Sequence, residues 1–441
     1  MSREIIILLM SGSLVFFLVL GYPIAFVMGG VAMIFGLTFL GPQAMHVFVL
    51  NTNTTLMDFI LIAIPLFTFM GIMIEKSGIA IRLYDALHVI LGQLRGGLLI
   101  ATIIACAILA TATGVIGVSV AIMGVLALPA MIKYDYDLPI ATGSICAGGA
   151  LGVLIPPSIL LIVYDDAAGG VHLRNLFMGA IGPGLLLVLL YLIYIIIRCN
   201  INPKLGPALP KSEVDISVSR KLYLLFTSVI PVVVIIMAVL GSIIVGFALP
   251  TEAAGLGAFA SVLLAAAYRK LTFQNLKEAV FNTMTISCMI YMVMFGASFF
   301  SGVYVRLGGV EVVYDLIMGL SVPNWGVLLT MFTIVFFMGM FLDWLGTIMI
   351  AVPIFTPIVA RLGYDPVWFA MMMIIVMQSG FLTPPFAYSI FYLKGVAPPE
   401  VRTTHIYRGV IPFIMLQIIA VVLCWLFPDI ILWLPNMLYN Q

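Results

Sequence analysis

Gly152-Val153-Leu154-Ile155-Pro156-Pro157-Ser158 and Gly380-Phe381-Leu382-Thr383-Pro384-Pro385 each stand in the middle of an otherwise apolar run. A proline supplies no amide, clashes with the turn before it and pushes the preceding residue out of helical geometry, so two in succession unwind a helix. Unwinding frees carbonyl oxygens on one side of the break. Where the helix resumes, it leaves unpaired amides at the positive end of a dipole. Carbonyl oxygens suit a hard cation such as sodium and amides suit a carboxylate, which is how discontinuous helices build a binding site at the membrane midplane. A simple proline kink explains one such motif; it explains two in register less well.

The surroundings of the two motifs decide that they lie in a membrane. Of 441 residues, 63% are apolar and 8% charged, against about 25% charged in a soluble domain, so most of the outer surface must face hydrocarbon. The 19 basic and 18 acidic residues leave a net charge of +1, which provides no basic face for nucleic acid. The five cysteines are scattered without a CxxC pair and the four histidines without an HExxH pair, so neither a metal site of that kind nor a disulfide framework is indicated. The chain carries no phosphate-binding GxxxxGK[ST] loop, and no nucleophile and base stand together as an enzyme requires. The run after Glu4 lacks a basic flank and reads as a first span rather than a leader.

Spans of roughly 20 residues fit near 5–20, 24–40, 57–74, 138–166, 174–198, 221–247, 252–268, 278–304, 366–395 and 406–427. Residues 5–40 fit either two spans around Gly21-Tyr22-Pro23 or one kinked helix. Stretches 97–132 and 325–361 are interrupted halfway by small and polar residues and read as helical hairpins that turn back inside the membrane, although two full spans would give the same sidedness. Such backbone is tolerated at that depth only where protein or a wet cavity covers it. This layout puts Lys76, Arg82, Arg95, Lys133, Arg198, Lys204, Lys211, Arg220, Lys221, Arg269, Lys270, Lys277, Lys394, Arg402 and Arg408 on one side, and only Arg3, Arg174, Arg306 and Arg361 on the other. The basic side is cytoplasmic, which places both termini outside.

A shift of 228 residues brings Pro129 onto Pro357, Tyr136-Asp137 onto Tyr364-Asp365, Gly152 onto Gly380, Leu154 onto Leu382 and Pro156-Pro157 onto Pro384-Pro385. Five spans separate the two hairpins, so the units are inverted. The organisation is N-terminal scaffold helices in 1–56, a first repeat in 57–198, a polar linker in 199–220, scaffold helices leading into the second repeat in 221–304, and a second repeat in 305–441. The fold class is an all-α polytopic membrane protein of about ten transmembrane helices and two re-entrant hairpins in two inverted repeats.

The hairpin tips supply the other wall of a site. The first, Thr111-Ala112-Thr113-Gly114-Val115-Ile116-Gly117-Val118-Ser119, offers hydroxyls and glycines that let backbone approach closely; each threonine can equally back-bond to its own helix. The second contains Asp343, an acid at membrane depth, which needs a partner there. A bound cation serves, and so does capping of the following helical arm through the amides near Leu345 or Gly346. Thr251-Glu252 and Asp58 read as caps, Asp165-Asp166 as an acidic outer loop, and Trp325, Trp368, Trp425 and Trp433 as an interfacial aromatic belt.

The Pro-Pro motifs, Phe341-Leu342-Asp343 and Pro250-Thr251-Glu252-Ala253-Ala254, in this order over nearly the whole chain, resemble the large membrane subunit of the tripartite ATP-independent periplasmic (TRAP) transporters. The resemblance implies an ion-transporter-superfamily fold of the elevator type. It also implies sodium-coupled uptake, across the bacterial inner membrane, of an organic acid delivered by a periplasmic binding protein, with a small four-helix membrane subunit as partner. Carried onto this chain, the sodium ligands are sought among Thr111, Thr113, Gly114, Ser119, Gly152, Asp343, Thr347 and Gly380, and the substrate contacts among Ser158, Thr383, Pro156, Pro157, Pro384, Pro385 and Asp343. The chain departs from the family at Val115-Ile116, where many members resemble Ser-Ser; this removes two hydroxyls from the first tip. A stand-alone sodium- or proton-coupled anion carrier has the same architecture.

Overall fold

The computed structural model describes residues 2–114, 116–210, 217–319, 322–384 and 387–439; Pro385, Val115, Lys211 and the side chain of Thr113 lie outside the described residues. Among those described there is no strand, and the apolar runs satisfy their backbone groups within helices, as hydrocarbon demands. The first unit runs α1 (Arg3–Val19), α2 (Ile24–Leu40), α3 (Gln43–Met57), α4 (Ala63–Lys76), α5 (Ile79–Leu91), α6 (Gly97–Thr113), α7 (Ile116–Lys133), α8 (Leu138–Ala150), α9 (Ile159–Ala168) and α10 (Leu173–Ile201). A short α11 (Val218–Leu224) and a π turn lead into the second unit. That unit contains α12 (Ile230–Val245), α13 (Pro250–Ala267), α14 (Phe273–Arg306), α15 (Gly309–Met318), α16 (Asn324–Phe341), α17 (Trp344–Arg361), α18 (Pro366–Gly380), α19 (Tyr388–Val396) and α20 (Thr403–Leu426), and α21 (Asp429–Tyr439) follows.

The 228-residue shift covers far more than the matched prolines. It lays α12 on α1, α13 on α2, α15 on α5, the hairpin α16–α17 on α6–α7, α18 and α19 on α8 and α9, and α20 on α10. One pair of positions differs. In the first unit, Asp58 accepts from the Ile60 amide and Pro65 removes a donor, so the chain stops after α3 and restarts as α4. Ile286 and Val293 stand at the matching positions, and α14 runs through as one helix of 34 residues. The repeated Tyr-Asp loop also gains its reason here: Asp137 and Asp365 cap α8 and α18 by accepting from the amides of Ile140, Val367 and Trp368.

Residues 5–40 form two helices, with Gly21 at φ 84° providing the left-handed turn between them. Four helices escape a search for spans: α3, α5, α15 and α21. Of these, α5 and α15 occupy matching places immediately before the two hairpins. Trp368 corrects the aromatic-belt reading. It is 5% exposed and donates its indole N–H to the Cys424 carbonyl, whereas Trp325 and Trp433 are exposed.

The two units interlock. The second arm of each hairpin packs on the half-helix of the other unit, α7 on α19 and α17 on α9, and α2 and α4 pack in the same crossed fashion on α14 and α13. Backbones approach closely at glycines: a Cβ on Gly409 of α20 would lie 1.9 Å from the Pro139 carbonyl oxygen of α8, and one on Gly182 of α10 1.8 Å from the Ile430 carbonyl oxygen of α21. Small residues at such crossings are how helices associate where lipid removes the hydrophobic incentive.

Candidate functional site

Both hairpin tips end at the helix breaks. In the first unit the chain unwinds after α8 through a 3-10 turn at Leu151–Val153, crosses Pro156 and Pro157, and resumes as α9 at Ile159. The tip turns at Gly114, with φ 63°, and a Cβ there would lie 3.4 Å from the Ile159 amide nitrogen. The tip therefore faces the N-terminal end of the second half-helix. Gly152 fits closely against Ala110 of α6, whose Cβ lies 3.1 Å from where its own Cβ would be. In the second unit Gly380 is pressed against Gly339 and the Phe336 carbonyl, at 2.8 and 2.9 Å on the same measure. A tip that stops at a break halfway along a span is a re-entrant tip, not one end of a full crossing.

Polar atoms at these junctions have specific duties. Ser158, fully buried at the start of α9, donates its hydroxyl to the Val153 carbonyl at 2.7 Å and so partners one of the groups freed by the break. Asp343 caps α17, its Oδ1 accepting from the Gly346 amide at 2.9 Å, while Thr347 donates to the Asp343 carbonyl at 2.9 Å. No basic group pairs with Asp343 among the described residues; the one ion pair there is Lys76 with Glu278, at 2.5 Å. Thr111 and Thr383 bond back to their own helices, onto the Ala107 and Ser379 carbonyls at 2.6 and 2.8 Å. A hydroxyl that donates in this way keeps its lone pairs for a cation. Ser119 and Thr347, repeat mates at the 228-residue shift, are both fully buried at the starts of the second arms.

The predicted residues thus fall into two matching groups: Thr111, Gly114, Gly152, Ser158 and Ser119 around the first break, and Asp343, Thr347, Gly380 and Thr383 around the second. The donors are all oxygen, which fits a hard cation. The breaks differ in cover. Pro156, Pro157 and Ser158 are buried, whereas Thr383 is partly buried and Pro384 exposed.

Three further residues belong to this neighbourhood. Gln378, two residues before Gly380, is fully buried with neither amide atom hydrogen-bonded, at a cost of about 1–3 kcal/mol per unpartnered group. The same intramembrane-polarity argument that picked out Asp343 applies to it, since it follows the wholly apolar Met371–Met377 run. Tyr388 and Tyr392 stand on α19 just after the second break, the Tyr392 ring lying against Gly117 of α7; among 17 tyrosines no spacing marks them. Cavities of about 330 Å³ beside Arg174 and Glu252, and about 300 Å³ between Trp325, Tyr364 and Trp425, lie at loops away from both breaks.

Comparison with known proteins places this geometry. The family model described as "Tripartite ATP-independent periplasmic transporter, DctM component" matches residues 11–430. The C4-dicarboxylate TRAP transporter large permease protein DctM of Pseudomonas aeruginosa is 30% identical over 400 residues, covering 90% of this chain and 91% of its own. The isethionate TRAP transporter permease protein DctMQ of Oleidesulfovibrio alaskensis is 30% identical over 425 residues, 95% of this chain and 65% of its own. Among solved structures, the Alcanivorax borkumensis YdaH transporter matches with a TM-score of 0.60 at 15% identity, covering 89% of each chain, which is a likeness of fold.

Proposed function

Because this chain belongs to the family of the DctM component of the TRAP transporters, we propose that it is the large permease of a sodium-coupled importer of an organic acid. The observation that carries this reading is the pair of broken helices, each met by a hairpin tip, with hydroxyls, carbonyls and one unpaired acid gathered at the junctions. Cations sit among the tip hydroxyls and freed carbonyls, with Asp343 as the charged ligand. The substrate carboxylate faces the amide end of α9 and α19, where a half-helix dipole favours an anion; the Ser158 and Thr383 hydroxyls reach it only by turning from the Val153 and Ser379 carbonyls to which they donate.

The interlock supports an elevator movement. With α7 on α19 and α17 on α9, one repeat cannot rock against the other without unpacking both hairpins, so the hairpins and half-helices travel together past the remaining helices. A periplasmic binding protein delivers the acid and a small four-helix membrane subunit braces the permease, in the bacterial inner membrane with both termini outside.

Reconstitution of the permease and its small subunit in liposomes tests the reading. Uptake is expected only with an inward sodium gradient and the substrate-loaded binding protein. Equal uptake without any soluble protein identifies a stand-alone carrier instead, and uptake indifferent to sodium removes the coupling.

A further inference from the structure

At the base of the second hairpin, on the face that the basic-residue layout makes the outer one, a cavity of about 300 Å³ opens between the start of α16, the second Tyr-Asp loop and the end of α20. Its walls are aromatic: Trp325, Tyr364, Trp368 and Trp425 line it, together with Asp365 and Leu432 of α21. Trp368 and Trp425 meet at a steep angle, their centroids 5.6 Å apart and their planes at 67°, while Tyr364 lies almost parallel to Trp368 at 5.8 Å and 19°. Three rings thus form a corner. The Trp368 indole is fixed there by donating to the Cys424 carbonyl at 3.1 Å. Trp325 is 57% exposed and so borders the opening. Asp365 is exposed too; its Oδ1 accepts from the Val367 and Trp368 amides at 2.8 and 2.9 Å, which anchors a carboxylate at the rim.

The repeat shows that the fold does not require these indoles. At the 228-residue shift Gly97, Ile140 and Ile197 stand where the second unit has Trp325, Trp368 and Trp425, although the Tyr-Asp pair is kept. There the linker packs over the loop, its Leu205 and Gly206 carbonyls accepting from the Asp137 and Gly96 amides at 3.1 and 2.8 Å; in the second unit the corresponding place is the open cavity. Tryptophans of an interfacial belt face the headgroup layer singly, whereas these three enclose a volume. The faces of their rings carry the negative side of a quadrupole, and rings set at an angle beside a carboxylate prefer a cation to a neutral group of the same size. The described cation–ring contacts all lie on other rings, and Arg361, three residues before Tyr364, sits over Tyr314 at 5.3 Å. We propose that this cavity binds an alkylammonium group, the chemistry shared by free choline-type amines and the headgroups of zwitterionic phospholipids, with the tryptophans supplying ring faces and Asp365 the counter-charge. Its volume stands at the lower end of the range of about 300–1,000 Å³ for ligand pockets, which suits a headgroup-sized cation. The site lies away from both helix breaks and is independent of the transport reading.

The test uses the permease with its small subunit in detergent and reads tryptophan fluorescence, since three of the five tryptophans line the cavity. Titration with tetramethylammonium, choline or ethanolamine chloride at constant ionic strength is expected to give a saturable change with at least one of them. The neutral molecule tert-butanol, close in size to tetramethylammonium, is expected to give none. Trp325→Leu, at an exposed position, and Asp365→Asn, which keeps an acceptor for the capped amides, are each expected to weaken the ammonium response about tenfold while the melting temperature holds. No saturable response to any of the three cations, an equal response to tert-butanol, or wild-type affinity in both variants overturns the proposal. Repeating the choline titration in nanodiscs of phosphatidylglycerol with and without phosphatidylethanolamine separates the sources. Weaker apparent affinity with the ethanolamine lipid present means that a lipid headgroup occupies the cage, and equal affinity means that a free amine does. Sodium-coupled uptake stands or falls separately from all of these results.

Discussion

Asp343 shows how one side chain can cap a helix and still be available to an ion. Its Oδ1 is engaged by the Gly346 amide and its carbonyl by Thr347; an asparagine retains an acceptor for that amide but not the charge. Asp343→Asn is therefore expected to reduce sodium-driven uptake at least about tenfold, as a lost charged ligand should, while membrane expression stays at the wild-type level. Wild-type uptake by this variant removes Asp343 from the ion site. Ser158 has the opposite character: its hydroxyl satisfies the Val153 carbonyl. Ser158→Ala is expected to cost about 1–3 kcal/mol of stability through that orphaned acceptor, read as a lower melting temperature in detergent. At this scale the sequence showed which residues are polar at depth but not where their protons go. Thr111 and Thr383 illustrate the difference, since spacing cannot reveal a rotamer that bonds back to its own helix. Tyr388 and Tyr392 were illegible for another reason: in a chain with 12% aromatic residues a tyrosine in a span reads as packing.

Elements were more legible where their chemistry is local. The two Pro-Pro breaks and both hairpin tips follow from proline and glycine sterics, and the hairpin ends fall within a residue of where the interrupted runs placed them. The helices that went unseen, α3, α5, α15 and α21, are 10 to 15 residues long, too short for a span. Helix α5 is amphipathic, burying Ile79, Leu83, Tyr84 and Leu87 and holding Arg82 over the Tyr268 ring at 4.6 Å. Close helix crossings are equally invisible from one chain, because a glycine looks the same whether it faces lipid or a carbonyl. Gly409→Ala forces a methyl onto the Pro139 carbonyl and is expected to destabilise the fold by about 1–3 kcal/mol. Gly395→Ala, where nothing lies within 4 Å, is the control expected to leave the melting temperature unchanged. Equal melting of both variants means that α8 and α20 are not held at this distance.

At the scale of the whole molecule, the distribution of a few charges and the interlock of the units carry the argument. Fifteen of 19 basic residues lie on one side of the sequence-derived layout, so reporter fusions at the N-terminus and after α21 are expected to be active outside, and a fusion in the 199–220 linker inside. Opposite sidedness of the two ends contradicts the inverted repeat. The long linker allows a second test. A chain cut within it and co-expressed as two halves is expected to recover transport, whereas neither half alone gives a monodisperse protein, because α7 and α9 lack their partners. The interlock also has a consequence in time. Helix α7 leaves the ribosome before α19 exists, and at roughly 5–20 residues per second the ~250 residues between them take about 12–50 s to make. Throughout that interval the first hairpin, with Gly117 and Gly124 laid bare where Tyr392, Leu393 and Val396 will later rest, must wait in the bilayer unpaired. Newborn permease is therefore most exposed to quality-control proteolysis in the interval before its second half arrives.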